Sequence, residues 1–160
     1  MMRRLALMAA LLAPLAAAAP AAAQSSTSKE VNIAADRMEI LSGEKRAIFT
    51  GKVDAKRGDV HLTSDRLVAY YTEVKQTDGS TKNEVTRLEA EGSVTIVTAK
   101  QTITGQWAKM DVKADKLAVG GKVKVVQAET ILEGELLNVD LKADTSEMTG
   151  GRVKGSFVPH

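Results

Sequence analysis

The chain has 160 residues, 44% of them hydrophobic, 26% charged and only 3% aromatic, with 22 Lys and Arg against 20 Asp and Glu, two His and no Cys. That length suits one domain, and the lack of cysteine excludes disulfides, thiolate metal sites and thiol nucleophiles. The near-balance of charge leaves no basic field of the kind nucleic acid requires, so no nucleic-acid partner is expected.

Arg3 and Arg4 precede an apolar run from Leu5 to Ala19, and Ala21-Ala22-Ala23 stands before Gln24 as a small-residue cleavage pattern. This order is the anatomy of a secretory signal peptide over residues 1–23, cleaved on export, with residues 24–160 as the single mature domain. The alternative is an uncleaved membrane anchor, because the stretch from Leu5 to Ala23 is just long enough to span a bilayer. Pro14, Pro20 and the Ala-rich end argue against it. Cleavage removes two arginines and brings acids and bases into balance.

From residue 31 onward the chain repeats itself, and repetition decides the architecture. The first unit is Val31-Asn-Ile33-Ala-Ala35-Asp36-Arg37-Met38-Glu-Ile40, followed by Phe49-Thr-Gly51-Lys-Val53. Next comes Val60-His61-Leu62-Thr-Ser64-Asp65-Arg66-Leu67-Val-Ala69. A hydrophilic insert, Thr72–Asn83, contains Asp78-Gly79-Ser80 and reads as a hairpin tip. Beyond it lie Leu88-Glu-Ala90-Glu-Gly92-Ser-Val94-Thr-Ile96 and the stretch from Gln101 through Ile103, Gly105, Gln106, Trp107, Ala108 and Met110 to Val112. Then follow Leu117-Ala-Val119-Gly-Gly121-Lys-Val123-Lys-Val125, the unit around Leu132, Gly134, Glu135, Leu137, Val139 and Leu141, and a weaker copy from Gly151 to Phe157. The anchors Ile33, Leu62, Ile103 and Leu132 are 29, 41 and 29 residues apart.

Both kinds of unit alternate apolar residues with Lys, Glu, Thr and Asp. A period of two marks a strand with one dry and one wet face. In the units that begin at Val31, Val60, Gln101 and Thr130, the apolar parity switches halfway, always after a small residue: Ala35, Ser64, Gly105 or Gly134. A parity switch is what a β-bulge produces, so each copy is expected to turn a corner there. The expected fold is all-β: a twisted β-jelly-roll, or V-shaped two-sheet slab, built from repeated strand pairs around an apolar interior. Its end strands, 31–40 and 152–158, would be open edges able to pair with another copy.

Catalytic chemistry has candidates but no constellation. Asp36, Asp65 and Glu135 recur at equivalent repeat positions and read as turn or solvent residues, since a catalytic pair needs two unlike environments. His61 points outward between Val60 and Leu62, and His160 is terminal, so no metal site is expected. Gly120-Gly121 lies in a strand-and-turn context, unlike a phosphate loop. No enzyme activity and no cofactor are expected.

The series Val31-Asn-Ile33-Ala-Ala-Asp36-Arg37-Met38, Ala47-Ile-Phe49-Thr-Gly51-Lys-Val53 and Leu62-Thr-Ser-Asp65-Arg66-Leu67, continued by Gly92-Ser-Val94-Thr-Ile96 and Gly120-Gly121-Lys-Val123, resembles the LptA/OstA-like lipopolysaccharide-transport proteins over about residues 29–155. The resemblance implies a periplasmic protein whose copies join end to end. Such a bridge runs between an LptC-type inner-membrane partner and an LptD-type outer-membrane partner. It carries lipopolysaccharide with acyl chains in an apolar groove and sugars outside. It also implies that Val31 and Ile33 touch lipid near one mouth of the groove, and that Ile96 and Val112 lie further inside. Strand parity adds Val94 and Met110. Each of the six equally suits a residue that simply fills a dry core. Two other readings stay open: a membrane-anchored LptC-type relative, and a secreted structural or glycan-binding β-repeat protein with a filled interior.

Overall fold

The computed structural model describes residues 30–158. The expected signal peptide, the first residues of the expected mature domain and His160 lie outside them. The elements are β1 (Asn32–Ala34), β2 (Arg37–Leu41), β3 (Arg46–Arg57), β4 (Val60–Lys75), β5 (Thr81–Val97), β6 (Thr102–Asp111), β7 (Lys116–Gln127), β8 (Thr130–Asp140), β9 (Thr145–Thr149) and β10 (Lys154–Ser156). All pair antiparallel in one sheet of order β1-β3-β4-β5-β6-β7-β8-β10, with β2 also on β3 and β9 also on β8. Short strands β1 and β2 therefore share one end of the sheet, and β9 and β10 share the other. The unit 31–40, read from sequence as one end strand with a corner, is divided at Ala35 and Asp36.

Alternation sorts side chains into rows across the sheet. One inward row runs Ile33, Ala55, Leu62, Ile96, Ile103, Val125 and Leu132. Another runs Met38, Phe49, Leu67, Ala90, Ala108, Val119, Leu137 and Met148. Leu67, Ile96, Ile103 and Val119 are fully buried. With few aromatics to supply bulk, branched aliphatics fill the interior, and their shape suits a pleated surface.

The corner is real, but its extra residue belongs to the other set of strands. Register shifts occur at Thr50/Val53 in β3, Glu91/Val94 in β5 and Gly120/Val123 in β7. Two residues there oppose one on the neighbour: Gly51-Lys52, Gly92-Ser93 and Gly121-Lys122. Both members of each pair have positive φ, for example 82° and 45° at Gly92 and Ser93. Glycine supplies that backbone at no steric cost. Parity flips in β4, β6 and β8 because those strands pass the bulge with one residue fewer.

The single residue opposing each pair is Asp65, Gln106 or Glu135, and on its other side each glycine abuts Asp36, Asp65 or Gln106. A Cβ on Gly51 would sit 2.7 Å from the Asp36 carboxylate, and one on Gly92 would sit 2.5 Å from that of Asp65. The Asp36 amide also donates to the Gly51 carbonyl at 2.9 Å. The recurrent acids are thus partners of the corner, which accounts for their spacing without catalysis.

Aligned bulges divide the sheet into two halves that face each other. Arg57, at the tip of one half, donates to Asp115 and to the Val112 carbonyl at the tip of the other. In a flat sheet those tips would stand roughly 30 Å apart, at about 3.3 Å per residue. The expected two-sheet slab is therefore one continuous sheet doubled over, a β-jelly-roll. The insert forms the expected hairpin, paired out to Lys75 and Thr81. At its tip the Ser80 hydroxyl and amide donate to Asp78 and hold its carboxyl below the usual range.

Candidate functional site

The space between the two halves is lined by one apolar cluster reaching from Val31 to Met148. Every residue proposed from sequence belongs to it. Val94, Ile96, Met110 and Val112 are buried, and Val31 and Ile33 pack against the cluster while half-buried near the β1 end. Ile96 sits between Leu62 and Ile103, and Met110 between Leu88 and Leu117. Val94 faces Gly105 beside the bulge. Val112 lies just past β6, where its amide donates to the Thr86 carbonyl at 2.9 Å.

Three of the six come together in one cleft. Val31, Ile96 and Met110 line it with Ala55, Val60, Leu62, Leu88 and Leu117, and Arg57 stands at its rim. Its walls come from both halves of the sheet. Empty space totals about 300 Å³, but enclosed room suffices for about one water. An acyl chain would therefore have to part the halves. Two wider hollows lie on the outer, wet face, with Arg87, Lys109, Asp111, Glu89 and Glu91 among their linings. The inner cleft is the better candidate for a long apolar ligand, because its wall belongs to the continuous dry row.

Arg57 is the residue that sequence reasoning missed. Val53, Ala55 and Arg57 share one parity, so extending the alternation by four residues places this arginine on the dry face. Its Nη1 donates to Asp115 Oδ1 at 2.6 Å and its Nη2 to the Val112 carbonyl at 3.1 Å. Only 14% of the side chain is exposed, and the buried Nε has no partner. A second ion pair, Lys100 to Asp144, also ties tip to tip, but both partners are largely exposed. Exposed pairs of that kind contribute little.

Among the described residues, no group of His, Asp and Glu could hold a metal ion. His61 places its Nε2 2.9 Å from Asp54 on the outer face. Apart from Val97 on β5, the exposed large apolar side chains among the described residues gather at the sheet's ends: Met38 and Ile40 on β2, and Val153, Phe157 and Val158 around β10. Among the described residues, both ends present unpaired strand edges beside apolar side chains, the arrangement that recruits another strand.

No curated protein matches the sequence. A similar solved structure is LptH, the LptA-homologous periplasmic component of the lipopolysaccharide transport device of Pseudomonas aeruginosa. The TM-score is 0.67 at 16% identity, covering 81% of this chain and 96% of that one, which establishes a shared fold. Residues 32–145 match the family model described as LptA/(LptD N-terminal domain) LPS transport protein, which spans the bulge-bearing strands and the apolar cleft. The chain belongs to that family.

Proposed function

We propose that this protein is a periplasmic lipopolysaccharide-binding bridge. It holds acyl chains between the halves of its sheet, leaves the sugars outside, and passes the lipid from the inner toward the outer membrane. The observation that carries this reading is the unbroken apolar interior, which crosses β1 and every strand from β3 to β9 and, among the described residues, ends in apolar, unpaired edges. An acyl chain gains about 0.8 kcal/mol per buried CH₂. A wall of Val, Ile, Leu and Met offers that gain without demanding one position, so a chain can move along it.

The open edges suit end-to-end strand addition, to another copy, to an LptC-type partner or to an LptD-type partner. Export would follow cleavage of residues 1–23. Energy for directional movement would come from partners, and the chain itself performs no chemical step. The lipid contacts proposed are Val31, Ile33, Val94, Ile96, Met110 and Val112.

In-cell photocrosslinking tests the reading. A photoreactive residue at Ile33 or Val112 should yield lipopolysaccharide adducts, and one at the exposed Lys109 should yield none. Adducts absent from both interior positions, in a folded and exported protein, would leave a filled core with a structural role.

A further inference from the structure

We propose that Arg57 is an anion-recognition residue at the rim of the cleft, selecting amphiphiles that carry a phosphate beside their acyl chain. This rests on the groove reading above and adds a headgroup site to it.

Arg57 is the one cation on the inward parity of β3, where its neighbours in the alternation are Val53 and Ala55. Its guanidinium stands at the rim of the cleft that Val31, Ile96 and Met110 line. A ligand with its tail among those residues would therefore bring its head to Arg57. Lys56, the next residue back, has the opposite parity and turns its amine to Asp54 on the outer face, so Arg57 alone meets the incoming head.

Chemistry gives the ligand class. A guanidinium presents donors in a planar fork that matches carboxylate and phosphate oxygens. Within the fold that fork is satisfied by Asp115 and the Val112 carbonyl, while the buried Nε has no partner. Asp115 is thus an internal stand-in for an anion. It sits in the turn after β6, and that turn is on the opposite half of the sheet. Exchanging Asp115 for a phosphate would release the tie between the halves as the head is bound. Recognition of the head and widening of the cleft become one event.

The same contacts would also fit a purely structural tie, and the two roles predict opposite behaviour on the Asp115 side. Probes are dodecyl phosphate and the neutral dodecyl maltoside, which share a tail. Binding to the full mature chain is measured by calorimetry. The wild type should prefer the phosphate probe by about tenfold, the effect of one charge-assisted contact. Arg57→Gln should abolish the preference and still bind maltoside, and Arg57→Lys should keep part of it. Asp115→Asn should strengthen phosphate binding, because the internal competitor is gone.

Equal binding of the two probes by the wild type would overturn the proposal and leave the groove intact. So would Asp115→Asn weakening phosphate binding as Arg57→Gln does, which is the behaviour of a structural tie. Failure of either probe to bind the wild type would remove the groove reading and this one with it.

Discussion

At the residue scale, the corner rests on glycines that no other residue replaces cheaply. Gly92 has φ of 82° and would carry its Cβ into the Asp65 carboxylate, so Gly92→Ala meets both backbone strain and crowding. Such strain costs about 1–3 kcal/mol. Gly43, with open space around it and an ordinary φ, should change stability by less than about 0.5 kcal/mol when made alanine. Urea denaturation of the two variants checks the contrast. Adding Asp65→Ala to Gly92→Ala should recover the crowding part and leave the backbone part. Equal stability of Gly92→Ala and Gly43→Ala would mean that the bulge does not depend on glycine.

At the element scale, strands at the sheet's ends differ from the rest. β2 pairs only with β3, yet Met38 and Ile40 continue the inward rows of Phe49 and Ala47. Among the described residues no strand follows on the other side, and both are more than half exposed, at 57% and 56%. A charge placed on such an edge opposes strand addition without disturbing the core. Ile40→Lys should therefore shift self-association toward monomer in sedimentation, with stability changed by less than about 0.5 kcal/mol. Unchanged association would remove β2 from the contact surface.

The strands themselves were legible because alternation of Val, Ile and Leu with Lys, Glu and Thr leaves a helix no apolar face. The corner was legible as a parity switch. Its bulge was assigned to the wrong partner because parity flips in the strand that lacks the extra residue, whereas Phe49, Gly51 and Val53 keep theirs. Arg57 was missed because a charged residue beside Gly58 and Asp59 reads as a turn. The division of 31–40 into β1 and β2 depends on Asp36 bonding to Gly51, a contact with a residue on another strand.

At the scale of the whole molecule, the question is how a packed interior admits a chain. The cleft has room for about one water, so lipid must separate the halves. Ten buried CH₂ groups contribute on the order of 8 kcal/mol. The Arg57 contacts, as charge-assisted hydrogen bonds, contribute about 2 kcal/mol. Tail burial thus outweighs that tie between the tips. The bulge row is held by continuous strands and by the backbone bond from Asp36, so opening should begin at the tips and spare the corner. Hydrogen exchange distinguishes this route from threading through the ends. Without ligand, amides of 32–41 and 145–156 should exchange first, because those short strands have a neighbour on one side only. Amides of 88–96 and 103–110, paired on both sides, should exchange last. Added dodecyl phosphate should change exchange in the tip turns, 57–60 and 111–116, while the Gly51, Gly92 and Gly121 row stays as it was. Changes confined to β1, β2, β9 and β10 would instead mean that the chain threads in from an end, with the tips closed throughout.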